Sequence, residues 1–402
     1  MVVQSLADDM SGRWQPAYGV LGLCVAAYFA VRFSQVIVGP VIPPVQAEFG
    51  VSTGSIGIAL TGMWIAYALT QLPSGVLADR IGERRVVLYA LGLSAVATVG
   101  LSSAPAFPVF ALAIVVLGIG AGAYYNPATA LLARDFDAIG GAIGSHRIGG
   151  QVAGVVAPLL AAAVVVHVGW RTPILAGAIV ICLVAGFIIW RISPRPPVDP
   201  DVSFRSTLAP RGLFDLLRRP RTRNTTTLMT MVEFVGLSAM AFLPAFLVAH
   251  QGFTLGQANL LFAGFFAVSA VCQPLGGWLS DRIGRDPTIA MLALAGTAGY
   301  ATLVVGGGTL LIALAVVLSG TALSMTSVIQ ARMIDGLATS NRGTGFGLFR
   351  GVYLLIGATG TAVVGTTADL AGWAAAFTVL AGIMAGVLML VVLLHISGKK
   401  PS

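Results

Sequence analysis

Gly75-Val-Leu-Ala-Asp79-Arg80-Ile-Gly82-Glu83-Arg84-Arg85 decides how this chain is read, because it returns in altered form as Gly277-Trp-Leu-Ser-Asp281-Arg282-Ile-Gly284-Arg285. The two aspartates lie 202 residues apart, and the likeness extends upstream, where Gln71 is matched by Gln273. Gly169-Trp170 recurs as Gly372-Trp373, and Arg147 recurs as Arg350, both at a displacement of 203. An offset that stays near 202 over several markers indicates a duplication, each copy about half of the 402 residues.

What surrounds these stretches sets their solvent. The chain is 57% hydrophobic and 9% charged, whereas soluble domains carry about 25% charged residues. Apolar runs occupy 18–40, 55–77, 86–104, 108–132, 140–166 and 172–191, then 225–249, 257–279, 288–305, 309–331, 343–366 and 373–396. Each is long enough to cross about 30 Å of hydrocarbon as a helix. Lipid admits only helices or closed barrels, and these runs lack the alternation of barrel strands. The expected fold is therefore an all-α membrane protein, with twelve transmembrane helices in two pseudo-symmetric six-helix bundles. The halves fall at 1–192 and 224–402, joined by a polar linker at 193–223.

The placement of arginine and lysine sets the orientation. With the N-terminus inside, the inner segments hold Arg13; Arg80, Arg84 and Arg85; Arg134; eight arginines from Arg191 to Arg223; Arg282 and Arg285; Arg332 and Arg342; and Lys399 and Lys400. These are 19 of the 23 basic residues, while the outer loops hold only Arg171. That asymmetry is the positive-inside pattern. It predicts a multi-pass protein of the cell membrane with both termini cytoplasmic. It also accounts for the net charge of +8, so no nucleic-acid partner is called for. The N-terminal MVVQSLADDMSGR is acidic and polar, unlike a cleavable signal. Cys24, Cys182 and Cys272 lie inside apolar runs without metal spacing. No phosphate-binding loop, zinc motif or nucleophile elbow occurs, so neither an enzyme nor a cofactor is expected.

The stretch from Gly75 to Arg85 resembles the signature loop between helices two and three of the major facilitator superfamily. Gly277 to Arg285 resembles its degenerate copy between helices eight and nine. The resemblance covers essentially the whole chain and implies a secondary transporter working by alternating access, most simply as a monomer among membrane lipids. It implies a gating role for Gly75, Asp79, Arg80 and Arg84 and for their counterparts Gly277, Asp281 and Arg282. The glycines would allow close helix approach, and Asp79 would cap a neighbouring helix or pair across the seam. A basic membrane anchor with a helix cap is the simpler alternative for the same residues.

Charge inside the spans marks the candidate site, because it costs about 2.5–3.5 kcal/mol per group on insertion scales. Glu233 is the one acidic residue well inside a run, and Arg32, Arg147 and Arg350 are comparably interior. Helical spacing gathers polar groups with them. Tyr28, Arg32 and Gln35 share one face of the first run. Arg147 and Gln151 share a face of the fifth, and Arg350 and Tyr353 a face of the eleventh. Tyr67 and Gln71 belong to the second run, Gln273 to the eighth, and Tyr124 and Asn126 to the fourth. The family resemblance places runs one, five, seven and eleven around a central cavity.

Three arginines against one glutamate predict an anionic substrate, an organic carboxylate or inorganic oxyanion, since guanidinium suits bidentate binding of such groups. Glu233 is the candidate for a coupling proton, because desolvation disfavours a charged carboxylate, or else an ion-pair partner of Arg32. His146 is a second proton candidate. Alternatively, Arg147 and Arg350 pair with Asp135 and Asp335 in an inner gate. The competing function is drug/proton antiport, suggested by Gly149-Gly150-Gln-Val-Ala-Gly154-Val-Val-Ala157-Pro158. Ala157 and the missing arginine before Gly118 depart from that family's pattern.

Overall fold

A computed structural model describes residues 16–136, 139–201, 218–335 and 342–398. Arg13, Arg205, Arg211, Lys399 and Lys400, counted above, lie outside the described residues. The first half contains α1 (Pro16–Val36, continued past a break at Ile37 by Val38–Phe49), α2 (Thr53–Ile81), α3 (Glu83–Ser102), α4 (Phe107–Ala133), α5 (Ile139–Val168) and α6 (Arg171–Arg191). The second contains α7 (Pro220–Ala249), α8 (Leu255–Ile283), α9 (Arg285–Val305) and α10 (Thr309–Ala322 with Met325–Asp335). It closes with α11, formed by Arg342–Gly357 and the start of Thr359–Gly398, and α12, the rest of that segment.

Gly372 separates the last two. The apolar helix Phe349–Ser397 runs for 49 residues, which laid straight would measure about 74 Å, far more than a membrane is thick. At Gly372 the backbone turns to φ 83° and ψ 168°, a conformation open to glycine and strained for other residues. Gly169, its repeat mate, sits between α5 and α6 at φ 87°. Gly82 and Gly284, the glycines of the duplicated stretch, also match, at φ 98° and 97°. The repeat is thus written in the backbone: each half turns its second helix into its third, and its fifth into its sixth, on a glycine.

The two bundles meet along three seams: α1 with α7, α2 with α11, and α5 with α8. The duplicated stretches and the described arginines of the linker lie at one end of the molecule, here called the basic end. The seams are tightest toward the opposite end. There the Gly57 backbone packs directly on Thr361 and Ala362. Thr361 Oγ1 donates to the Gly57 carbonyl at 3.1 Å, and the Ala362 N–H donates to Thr61 Oγ1 at 3.1 Å. At the tip, the Asp369 carboxylate accepts the N–H groups of Thr53 at 3.0 Å and Gly54 at 2.7 Å, capping α2 from the other half. Gly39 likewise lies against the Met240 and Ala241 carbonyls.

The basic end is organised within each half. Arg134 pairs with Glu83 at 2.8 Å, and Arg332 with Asp286 at 2.7 Å. Arg195 pairs with Asp135 at 2.8 Å, and Arg285 with Asp335 at 3.2 Å and Asp281 at 2.5 Å. Among the described residues, none of these ion pairs joins the two bundles: Arg195 ties the linker to the first half, and the others lie within one half. Glu83, expected in a loop, is instead the first residue of α3 and is 2% exposed. In this conformation Asp135 and Asp335 pair with Arg195 and Arg285, not with Arg147 and Arg350.

The expected close approach at Gly75 and Gly277 is not seen. A β-carbon at Gly277 would meet nothing within 4 Å, and one at Gly75 only Asn126 Cβ at 3.9 Å. Asp79 accepts the Asp199 N–H through its carbonyl at 3.0 Å. Arg84 donates to the Ile189 carbonyl at 3.0 Å, and Arg282 stacks on Trp278 at 3.9 Å. Arg80 is exposed. The physical reason is geometric: with the opposite end closed, the halves splay at the basic end.

Candidate functional site

The three seams surround a cavity of about 180 Å³ at mid-depth. Arg32, Arg147, Arg350 and Glu233 all line it, together with Tyr28, Tyr67, Gln151, Gln273 and Tyr353. Four helices contribute the charged groups, and the arginines of α5 and α11 are repeat mates approaching from opposite halves. A larger cavity of about 800 Å³ continues toward the basic end, where Gln71 and Asn126 line it. Arg147, Gln330 and Arg350 line both spaces and so stand at the threshold between them.

Each guanidinium in the cavity has only neutral partners. Arg32 donates to Gln35 Oε1 at 2.9 Å and to Met240 Sδ at 3.8 Å, with Trp64 beneath it at 5.8 Å. Arg147 reaches Gln330 Oε1 at 3.5 Å. Arg350 extends from α11 into the first half, donating to Tyr67 Oη at 3.3 Å and lying over the Tyr125 ring at 4.8 Å. Among the described residues no cation lies within 4 Å of the Glu233 carboxylate, so the Arg32–Glu233 pair, the alternative to a proton-coupling role, is not formed in this conformation. Glu233 owes its place to glycine: a β-carbon at Gly357 would crowd Glu233 Cβ at 2.8 Å. Gln151 donates to Gln273 Oε1 at 2.9 Å across the α5–α8 seam and closes that flank.

Some expected site residues stand behind the cavity. Gln35 is buried and supports Arg32. Tyr124 and His146 are fully buried and line neither space. The Tyr124 hydroxyl donates its single proton to the Cys24 carbonyl at 2.8 Å, so at 3.1 Å from that hydroxyl His146 Nε2 is the donor. His146 Nδ1 then carries a lone pair without a partner. The imidazole backs two rings that face the site, Tyr28 at 4.9 Å and Tyr125 at 5.6 Å. Its neighbour Arg147 points into the cavity while His146 points away, as successive helical residues do.

Sequence reasoning passed over Gln330, Trp64, Met240, Phe266, Ser269 and Thr326, all of which line the cavity. Gln330 carried a usable signal, an amide inside an apolar run one turn from Thr326. The apolar liners carried none, because a side chain facing a cavity and one facing a neighbouring helix look alike in a one-dimensional pattern.

Two six-helix bundles closed around a charged central cavity define a multi-pass membrane protein of duplicated architecture. The family model described as Major Facilitator Superfamily matches residues 24–237 and 226–402, and the chain belongs to that family. It is 26% identical over 282 residues to the "Probable nitrate/nitrite antiporter NarK1" of Thermus thermophilus, covering 66% of this chain and 61% of that protein. It is 26% identical over 289 residues to the "Probable sulfoacetate transporter SauU" of Cupriavidus necator, covering 68% and 67%. In shape it matches a bacterial homologue of the human lysosomal transporter Spinster in an inward-facing, unoccupied conformation, with a TM-score of 0.77 at 19% identity over 95% of this chain and 96% of that one.

Proposed function

We propose that this protein is a secondary transporter that carries a small anion across the cell membrane by alternating access, with Glu233 handling a coupling proton. The observation that carries this reading is the contrast between two sets of arginines. At the membrane rims, Arg134, Arg171, Arg195, Arg285 and Arg332 each pair with a carboxylate. In the cavity, Arg32, Arg147 and Arg350 find only amides, a thioether, a hydroxyl and aromatic rings. A guanidinium inside a membrane protein is costly to hold unpaired. Three in one cavity against a single glutamate leave an unfilled demand for negative charge, and a cationic drug would meet repulsion. The similarity to proteins named for nitrate, nitrite and sulfoacetate is in keeping with this.

The positive-inside pattern supports a cytoplasmic basic end, and on that reading the conformation described is open inward. Residues 1–192 and 224–402 then act as the rocking halves of a monomer and 193–223 as their tether, with Asp79, Arg80, Arg84, Asp281 and Arg282 meeting across the seam when the inner end closes. The test is uptake of labelled nitrate and sulfoacetate into proteoliposomes by an Arg147→Ala, Arg350→Ala variant that inserts normally. Truncating partners of a buried charge contact costs about 2 kcal/mol or more, so transport falls at least about 30-fold. Wild-type transport by the double variant would sink the anion clamp.

A further inference from the structure

The two walls of the mid-depth cavity differ in chemistry. The first half presents Tyr28, Arg32, Tyr67, Arg147 and Gln151. Arg350, although it belongs to α11, reaches Tyr67 of that same wall and lies over the ring of Tyr125, which lines the larger cavity beside it. The second half is mixed: Ser269, Gln273, Thr326, Gln330 and Tyr353 line it, but so do Val232, Leu237, Met240, Phe266, Leu323 and Leu354, whereas the first half adds only Trp64 and Gly150 to its polar liners. Val232, Gly236, Met240, Glu233 and Leu237 share one face of α7 at helical spacing, so that face looks into the cavity with the Glu233 carboxylate set among its apolar side chains. The volume of about 180 Å³ equals that of about six liquid waters.

Resting on the anion reading above, we infer that the substrate is a small organic carboxylate, its carboxylate held by the arginines of the first wall and its hydrocarbon body lodged against the apolar side chains of the second half. An inorganic oxyanion exposes oxygen in every direction. In this cavity some of those oxygens would face Leu237, Phe266 and Leu354, losing water without gaining a donor. A carboxylate with an apolar body satisfies both walls. The apolar side chains of the second half are therefore specificity-determining: the guanidinia demand the charge and these residues select what carries it.

The test is equilibrium binding to the purified full chain at fixed ionic strength and pH, using acetate, butyrate, benzoate, nitrate, sulfate and the uncharged benzamide. Added methylenes in a hydrophobic pocket change affinity about tenfold or more. Benzoate and butyrate should thus bind at least about tenfold more tightly than acetate, nitrate or sulfate, with no binding of benzamide. Leu237→Asn should narrow the gap between benzoate and nitrate from both sides, weakening benzoate by removing apolar contact and tightening nitrate by supplying an amide donor. Nitrate or sulfate binding as tightly as benzoate overturns this inference and leaves the anion reading standing. Benzamide binding as well as benzoate overturns both, and so does the failure of every anion to bind. The wild-type panel decides the question even if the Leu237 variant does not fold.

Discussion

Glu233 holds the one negative charge in a cavity with three guanidinia, yet touches none of them within 4 Å. An ionised Glu233 therefore competes with an incoming anion for the same positive field, and a protonated one does not. The sign follows: anion affinity rises as pH falls, because protonation removes the competitor. Glu233→Gln should fix the site in its high-affinity form, with substrate affinity about three- to tenfold above the wild-type value at pH 8 and nearly flat from pH 5 to pH 8. Binding titrations across that range check it, and a Gln variant that keeps the wild-type slope would assign the proton to another group. The four interior charges were legible in the sequence because a chain with 9% charged residues has few reasons to place one at mid-membrane. Their tyrosine company was only partly legible. Tyr28 and Tyr67 reach the cavity, whereas Tyr124 turns behind Tyr28 to bond the Cys24 carbonyl. Helical spacing says which residues share a face, not which neighbour that face meets.

Between elements, the repeat proves deeper than its motif. Glu83 on α3 pairs with Arg134 at the end of α4, and Asp286 on α9 pairs with Arg332 near the end of α10. The same strut braces both halves, although the two acids fall at different steps of their motifs. That pairing escaped sequence reading because it joins residues about 50 apart that become neighbours only once two antiparallel helices pack. The opposite-end seam was also invisible, since glycines such as Gly57 matter through what lies across from them. Asp369 falls inside the gap between the last two apolar runs, where nothing in the sequence says what its carboxylate meets. The structure shows it capping α2 across the seam. Losing such a cap costs about 1 kcal/mol, so Asp369→Ala should move the balance between the two open conformations about fivefold toward opening at that end. Gly57→Val, which drives a side chain against the Thr361 backbone, should move it further the same way. Spin labels at Ser103 and Leu310, exposed sites on opposite halves near that end, would report a longer distance in both variants. An unchanged distance would mean the seam does not set the resting state.

Across the whole molecule, the twelve-helix count and the two halves were readable because lipid imposes them: each span must satisfy its own backbone and reach about 30 Å. The conformation was not readable, because a duplicated sequence is symmetric in outline and the two ends differ only in how closely they are drawn together. The structure breaks that symmetry. At the opposite end, Thr61 Oγ1 lies 3.0 Å from the Ala358 carbonyl and 2.8 Å from Thr361 Oγ1, within hydrogen-bonding reach of both, sealing α2 against α11. Toward the basic end, the same two helices part around the larger cavity, which Thr129 and Ile334 line from the two halves. A one-sided opening makes a one-sided prediction. In a background with Cys24, Cys182 and Cys272 replaced, Thr129→Cys and Ile334→Cys should each react with a membrane-impermeant maleimide in inside-out vesicles at least about tenfold faster than in right-side-out vesicles. Thr61→Cys, sealed in the seam, should react slowly in both. Reversed sidedness would overturn the assignment of the basic end to the cytoplasm while keeping a single opening. Equal reaction at Thr61 and Thr129 from the two faces would instead mean that closure at the opposite end is not the resting condition, and that the asymmetry of contact seen along α2 and α11 is one of several states of similar free energy.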